Sequence, residues 1–422
     1  MEEQKKPHVV IIGAGFGGLE AARALANAPV KVTLVDKRNY HLFQPLLYQV
    51  ATAGVQPGDI AYPIRTILRN QKNVEFRMTR ATGVDVANKQ VMTRAGTISY
   101  DYLIVAVGGS TNFFGMESVA TNGFGLKDIE DAMGIRNQIL GMVERAMQEK
   151  DPDLRRAMLT FVVVGGGPTG VESAGALSEL VRIVLPKDYP NLDTKEVRII
   201  LLEASTSLLV AMPDKLRDVT AKTLWDKQVE VRFGAKVVNY DGERVTLGSG
   251  EVIPSRTLIW AAGVQAASLV TNTGLQLGSM RRIVVTPTLQ TAEHPEVFAI
   301  GDAAHFEQDG RPLPMIAPVA NQQARSVAEN ITRLVQGKEL KKFIYKDPGI
   351  LATIGRNAAV AKMGDWEFKG SFAWILWLVI HVARLIGFRN RIMVLLNWAW
   401  DYFFYERGVR AIMPNVEKQI KS

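Results

Sequence analysis

The stretch His8-Val9-Val10-Ile11-Ile12-Gly13-Ala14-Gly15-Phe16-Gly17-Gly18 recurs 152 residues later as Phe161-Val162-Val163-Val164-Gly165-Gly166-Gly167-Pro168-Thr169-Gly170. The match runs on past the glycines: Glu20 against Glu172, Ala22 against Ala174, Ala24 against Ala176 and Leu25 against Leu177. Each copy reads as a buried strand, a glycine turn and a helix start. Each also leads to a second apolar strand that ends in an acid, Val32-Thr33-Leu34-Val35-Asp36 and Arg198-Ile199-Ile200-Leu201-Leu202-Glu203. A glycine turn alone is common; the three parts together have a specific physical use. Small residues let backbone approach a pyrophosphate, the helix N-terminus supplies N–H groups and positive potential, and the acid accepts ribose hydroxyls. The expected fold is therefore α/β, with two Rossmann-like dinucleotide-binding domains.

The acids differ in spacing, 23 residues after Gly13 but 38 after Gly165. The extra length falls around Leu185–Asp193 and predicts a longer helix plus a loop in the second copy. Glu203 also speaks to nucleotide choice, because a carboxylate there binds the 2′-hydroxyl of NADH and repels the 2′-phosphate of NADPH. Further along, Tyr102-Leu103-Ile104-Val105-Ala106-Val107-Gly108-Gly109 and Leu258-Ile259-Trp260-Ala261-Ala262-Gly263 pair again as apolar strands ending in small residues. Glu296-Val297-Phe298-Ala299-Ile300-Gly301-Asp302 is a third such strand.

Composition narrows the chemistry. The chain of 422 residues has no cysteine and five histidines scattered along it, which removes disulfides, thiolate metal sites, cysteine nucleophiles and dithiol relays. No metal site is expected, so any redox chemistry falls to an organic cofactor. Two dinucleotides on one chain then suggest a hydride path from nicotinamide to flavin. The net charge of +8, without a Lys/Arg run interleaved with aromatics, argues against a nucleic-acid partner. The polar start Met1–Lys6 leads straight into a strand and leaves no room for a targeting segment.

Both fingerprints, the paired strands and Phe298-Ala299-Ile300-Gly301-Asp302 resemble the two-dinucleotide flavoproteins, in which the first unit binds FAD and the second NAD(P)H. Members that reduce disulfides carry a cysteine pair, which this chain lacks. The segments Asn39-Tyr40-His41-Leu42-Phe43-Gln44-Pro45-Leu46-Leu47-Tyr48-Gln49-Val50-Ala51, Ala317-Pro318-Val319-Ala320-Asn321-Gln322 and Leu351-Ala352-Thr353-Ile354-Gly355-Arg356, with the Trp-rich C-terminus, resemble the type II NADH:quinone oxidoreductases. That likeness covers about Val9 to Arg410. It implies FAD contacts at Gly13, Ala14, Gly15, Phe16, Gly17, Gly18, Asp36, Lys37, Phe43, Pro45, Ala81, Gly108, Asp302, Pro318, Val319 and Ala320, Asp302 taking the ribityl chain. It implies NADH contacts at Gly165, Gly167, Pro168, Thr169, Gly170, Glu203, Ala262 and Gly263.

The resemblance also makes Glu172 and Gln322 the candidate catalytic pair. In the family the acid matching Glu172 lies where nicotinamide, flavin and quinone channel meet, and a carboxylate there can relay a proton to a quinone. An acid in a helix's first turn is favoured by the helix dipole in any case, and Glu20 holds the same place in the first copy. Gln322 is the retained member of an Ala-Gln-x-Ala-x-Gln segment whose first Gln is Pro318 here, a residue with no amide or N–H to offer. A helix-surface amide at the start of a helix running from Gln322 to Leu334 is the other reading of Gln322. His41, in an apolar aromatic stretch, reads as a packed core residue, with protonation of a flavin or quinone as the other reading.

Five of the seven tryptophans lie between Trp366 and Trp400. Two aromatic-rich apolar segments, Phe372–Ala383 and Ile392–Trp400, flank a basic hinge with Arg384, Arg389 and Arg391. Neither reaches the roughly 20 apolar residues a span requires. Docking on a bilayer surface follows, with tryptophans at headgroup level and arginines on anionic lipid.

The expected organisation is an FAD domain split around an NADH domain: 1–112 and 278–345 for the former, 113–277 for the latter, and 346–422 as amphipathic membrane-docking helices. The implied reaction is oxidation of NADH, with two electrons passing through FAD to a membrane quinone without proton pumping. The implied setting is peripheral, on the cytoplasmic face of a bacterial cell membrane, with a homodimer allowed. Two alternatives stay open: a soluble NADH-dependent reductase passing electrons to ferredoxin or oxygen, and an NADH-sensing flavoprotein that binds a protein partner.

Overall fold

A run of β-branched residues with no polar interruption cannot sit on a solvated sheet face, and Val9-Val10-Ile11 is fully buried at the centre of a parallel sheet. The computed structural model describes residues 6–404 and 409–412. Two units make up the chain. The first comprises residues 1–42, 61–110 and 264–347; the second comprises 43–60, 111–263 and 348–422.

In the first unit, β1 (His8–Ile12), β2 (Lys31–Asp36), β3 (Val74–Met78), β4 (Tyr102–Val105) and the late strand β9 (Val297–Ala299) form one sheet in the order β9-β4-β1-β2-β3, parallel throughout. Strand order reverses at β1, with β2 on one side and β4 on the other. Crossovers leave from opposite faces there, and a crevice opens at the carboxyl ends of the strands. The first glycine turn occupies it and leads into helix α1 (Phe16–Ala24), against which α3 (Ala317–Val335) packs.

The second unit repeats the plan. Strands β5 (Thr160–Val164), β6 (Arg198–Leu202), β7 (Val229–Arg232) and β8 (Thr257–Trp260) lie in the order β7-β6-β5-β8, again parallel, with β5 wholly buried. Helix α2 (Pro168–Glu179) follows the second glycine turn with Pro168 at its first position, where a missing N–H costs nothing. The helix continues through a π-helical turn, Leu180–Val184, into Leu185–Asp188, which accounts for the longer spacing to Glu203.

An antiparallel sheet of β10 (Ile350–Gly355), β11 (Ala358–Met363) and β12 (Trp366–Lys369) completes this unit with helices α4 (Gly370–Arg384) and α5 (Phe388–Phe404). Helix α2 comes close to β10 because Gly175 has no side chain: a Cβ there would stand 2.0 Å from the Ile354 carbonyl oxygen. That approach sets Glu172 beside β10. Among the described residues no helix is long and apolar enough to cross a membrane.

Candidate active site

The two glycine turns have the same geometry. Gly13 and Gly165 sit at φ +101° and +110°, and a side chain on either would strike the backbone at the end of the neighbouring strand, Ala106 for Gly13 and Ala261–Ala262 for Gly165. Gly18 and Gly170 let the helix start close against its own turn, their Cβ positions being 1.7 and 1.8 Å from the carbonyl oxygens of Gly13 and Gly165. The middle glycines, Gly15 and Gly167, have nothing within 4 Å. Crowding on either side of an open face is what a backbone cradle for a pyrophosphate requires. Both turns therefore fit dinucleotides, and Pro168 and Thr169 stand exposed at the rim of the second.

The acids serve the turns as well as any ribose. Asp36 accepts the Ala14 N–H at 2.7 Å and the Arg38 N–H at 2.8 Å. Glu203 accepts the Gly166 N–H at 2.5 Å and the Ser205 N–H at 2.6 Å. Each carboxylate thus clamps the residue after the first glycine. A carboxylate accepts about four hydrogen bonds, which leaves capacity for ribose hydroxyls.

The remaining first-unit positions surround that turn unevenly. Gly108, at φ +70°, faces open space. Asp302 lies in the turn Gly301–Ala303, and a Cβ on Gly109 would stand 2.7 Å from its carboxylate. Val319 and Ala320 are buried in the first turn of α3, where Ala320 approaches Gly17 and Gly301. Lys37 is exposed, and Ala81 is half-buried at the start of a separate strand. His41 is buried, its Nδ1 hydrogen-bonding the Ala14 carbonyl at 3.1 Å, and burial lowers its pKa. Gln323, absent from the sequence-based assignments, is buried and accepts the Gly301 N–H at 2.7 Å, fixing the Gly-Asp turn.

Helix α3 begins at Ala317, five residues before the predicted start, and Pro318 takes its first turn. Gln322 consequently lies inside the helix. Its amide bridges one backbone residue in both directions, donating to the Lys346 carbonyl at 2.8 Å and accepting the Lys346 N–H at 3.0 Å.

Glu172 is better placed for chemistry. Both it and Glu20 are fifth residues of their helices, beyond the first turn, so the dipole does not explain them. Glu172 is buried against β10, with the Thr353 N–H 3.4 Å from its Oε1 and the Trp377 indole close by without a regular hydrogen bond. Burial with so little compensation raises its pKa to about 8. The carboxyl is then mainly protonated at neutral pH.

It faces a cavity of roughly 790 Å³, counting the mouth, whose walls include Tyr48, Glu179, Arg356, Trp374, Trp377 and Trp398. Glu172, Ala176, Glu179 and Ile183 recur at helical spacing along one wall. The aromatic walls are tied together. Trp398 donates to Gln49 Oε1 at 2.7 Å, Gln49 Nε2 donates to the Tyr48 hydroxyl at 2.9 Å, and the Arg356 guanidinium sits 3.8 Å over the Tyr402 ring. His381 stacks on Trp377 at 4.0 Å and donates from Nδ1 to its carbonyl; burial depresses its pKa to about 4. Phe43 is buried with its ring edge toward His381, and Pro45 lies half-buried in the turn Gln44–Leu46.

This arrangement corrects the sequence-based picture of the tryptophans. Of the five C-terminal tryptophans, Trp374, Trp377 and Trp398 turn inward to the cavity, and Trp366 and Trp400 are exposed. The outer faces of α4 and α5 are aliphatic and phenylalanine instead: Phe372, Ile375 and Val379 on one, Phe388, Ile392, Leu395, Leu396 and Phe403 on the other, with Phe388 78% and Phe403 73% exposed. The hinge is corrected too. Arg391 folds back onto the carbonyls of Leu385 and Ala383, leaving Arg384 and Arg389 exposed.

Known proteins match this arrangement along the whole chain. Residues 7–324 match the pyridine nucleotide-disulphide oxidoreductase family and residues 348–406 the NDH2 C-terminal domain. The type II NADH:quinone oxidoreductase Ndh of Mycobacterium tuberculosis is 39% identical over 419 residues, covering 96% of this chain and 90% of that one. This chain belongs to the type II NADH:quinone oxidoreductases. The Haemophilus influenzae member of the family is 30% identical, over 89% of this chain and 92% of its own. NDH2 of Plasmodium falciparum, solved in complex with NADH, shares the fold with a TM-score of 0.87 over 97% of this chain and all of its own, at 21% identity. Cysteine is absent from this type II enzyme despite the disulphide-oxidoreductase frame.

Proposed function

We propose that this protein is a non-electrogenic NADH dehydrogenase that oxidises NADH and delivers two electrons through FAD to a membrane quinone, giving quinol. The observation that carries the quinone end is the buried Glu172 carboxyl facing an aromatic-walled cavity. Bound FAD supplies a ring that takes a hydride and gives up two electrons. The protein's own part is placement and protons.

The Gly13–Gly18 turn, Asp36 and Asp302 would hold FAD. The Gly165–Gly170 turn, Glu203, Ala262 and Gly263 hold NADH. The neutral Glu172 carboxyl gives its proton to a reduced quinone oxygen, and a pKa of about 8 lets it recover that proton near neutrality. The aromatic walls exclude water and match a planar ring. Gln322 has a structural part: its amide bridges Lys346 in both directions and fixes the end of the first unit.

The enzyme is membrane-associated and peripheral. The aliphatic face of α4 and α5 lies on the bilayer, and exposed Arg384 and Arg389 meet the anionic lipid of the cytoplasmic face of a bacterial cell membrane. NADH oxidation measured with and without a short-chain quinone, together with flotation on anionic liposomes, tests this reading. Leu396→Asp with Phe403→Asp abolishes flotation and keeps most short-chain quinone turnover. Flotation equal to wild type would reject the docking face, and quinone-independent oxidation would reject the acceptor.

A further inference from the structure

Near the start of the second unit's middle segment, residues 111–263, lies a short turn with an unusual side chain at its tip. Phe114 has φ +52° and is followed by Gly115 at φ +78°. An aromatic residue gains nothing from the left-handed region, where its Cβ crowds the following carbonyl. Phe114 is also 54% exposed, although the edge of its ring touches Trp260, on which its neighbour Phe113 packs from the core side. Strain and apolar exposure at one residue persist only when the surroundings fix them.

Here they are fixed by a clasp on the end of β8. The Asn112 N–H donates to the Gly263 carbonyl at 3.0 Å, the Trp260 indole N–H donates to the Asn112 carbonyl at 2.8 Å, and the Phe114 N–H donates to Asn112 Oδ1 at 2.8 Å. The Phe114 ring lies over Gly263, so near that a Cβ on Gly263 would stand 2.7 Å from its Cζ. The preceding pair, Ala261 and Ala262, is the segment that abuts Gly165 in the phosphate-binding turn. The ring therefore stands one residue beyond the backbone that borders the turn, at the carboxyl edge of the sheet where a dinucleotide lies.

We propose that Phe114 is a positioning residue for the hydride donor: its ring forms the outer wall of the second nucleotide crevice and stacks on the nicotinamide. This inference rests on the assignment of that crevice to NADH. Gly263 has no side chain because the ring takes its place. The strained backbone and an edge contact with the Trp260 ring, 6.3 Å between centroids, together hold the ring at the crevice edge. The oxidised nicotinamide is a cation, which a π face attracts more strongly than the neutral reduced ring, so the wall favours NAD+ binding over NADH binding.

The test uses the flavin-loaded, full-length enzyme. NAD+ and NADH dissociation constants come from anaerobic calorimetry, KM and kcat from turnover with a short-chain quinone, and melting temperatures from the same samples. Phe114→Ala and Phe114→Gly weaken NAD+ binding about tenfold, the scale of one lost stacking contact. NADH binding falls less, KM for NADH rises, and Phe114→Tyr restores wild-type values. Phe114→Gly, free of the φ strain, melts no lower than wild type. A purely structural Phe114 would lose affinity only in step with melting temperature. NAD+ affinities within twofold of wild type in both truncated variants overturn the proposal while leaving the NADH assignment intact. A wild-type enzyme that binds neither nucleotide overturns both.

Discussion

Glu20 and Glu172 hold the same place in two copies of one motif, each on the helix that leaves a glycine turn, yet they have become different chemical groups. Glu20 lies at a surface and pairs with Arg325 of α3 at 2.6 Å. Glu172 is buried beside Thr353 and Trp377, and burial raises its pKa to about 8. The local motif fixes where the carboxyl starts; what packs on the helix afterwards decides whether it pairs with a cation at the surface or lies buried against apolar walls. In the first copy that neighbour is a polar helix. In the second it is a β-sheet and two aromatic helices, brought near by Gly175.

The glycine turns should break first and most alike. Gly18→Ala and Gly170→Ala each put a methyl group less than 2 Å from a backbone oxygen, a clash that cannot relax without opening the turn and costs about 1–3 kcal/mol or more. Gly18→Ala is expected to purify with little flavin by absorbance, whereas Gly170→Ala keeps its flavin and loses NADH affinity by calorimetry. The reverse pattern would exchange the two cofactor assignments.

The acids should then diverge. Glu172→Gln is expected to lower quinone-dependent turnover by roughly 10²-fold, as loss of a positioned proton donor does, with flavin content and NADH-driven flavin reduction unchanged. Glu20→Gln is expected to leave turnover near wild type. Equal reoxidation rates for wild type and Glu172→Gln in stopped flow would remove the contrast.

The same difference should appear in stability against pH. The native state keeps on Glu172 a proton that the unfolded chain releases near 4.5, so this group's stabilising contribution is complete below that pH and is lost as pH rises through about 8. Denaturant titrations across that window should show wild type losing up to a few kcal/mol relative to Glu172→Gln. A slope identical in the two would place the carboxylate in a better-solvated setting. The smallest effect belongs to the surface pair: Arg325→Ala should cost about 0–1 kcal/mol by denaturant midpoint, because an exposed ion pair contributes little.

Much of this was legible in the residues because it is local. From the first glycine, turn, helix, second strand and acid follow one another within 23 residues in the first copy and 38 in the second, and each step has a conformational reason that neighbours in sequence supply. The extra helical length before Glu203 was readable for the same reason. The cavity was not. Tyr48, Glu172, Thr353 and Trp377 are brought together across more than 300 residues of chain, and periodicity in Phe372–Ala383 does not say which side of that helix meets Glu172. The inward turn of Trp377 and Trp398 depends on such distant partners. So do the bridges made by Gln322 and Gln323, two adjacent amides that bind different segments. The strained Phe114 carries no sequence signal at all, since a phenylalanine at positive φ looks like any other in one-letter code.

The inward-facing indoles also give this enzyme an optical property. Trp374, Trp377 and Trp398 line the cavity, and the other four tryptophans lie elsewhere in the chain. A quinone entering between them would be an electron acceptor in contact with excited indoles. Intrinsic emission would then fall as the cavity fills, so occupancy could be followed in the unlabelled protein by its own light.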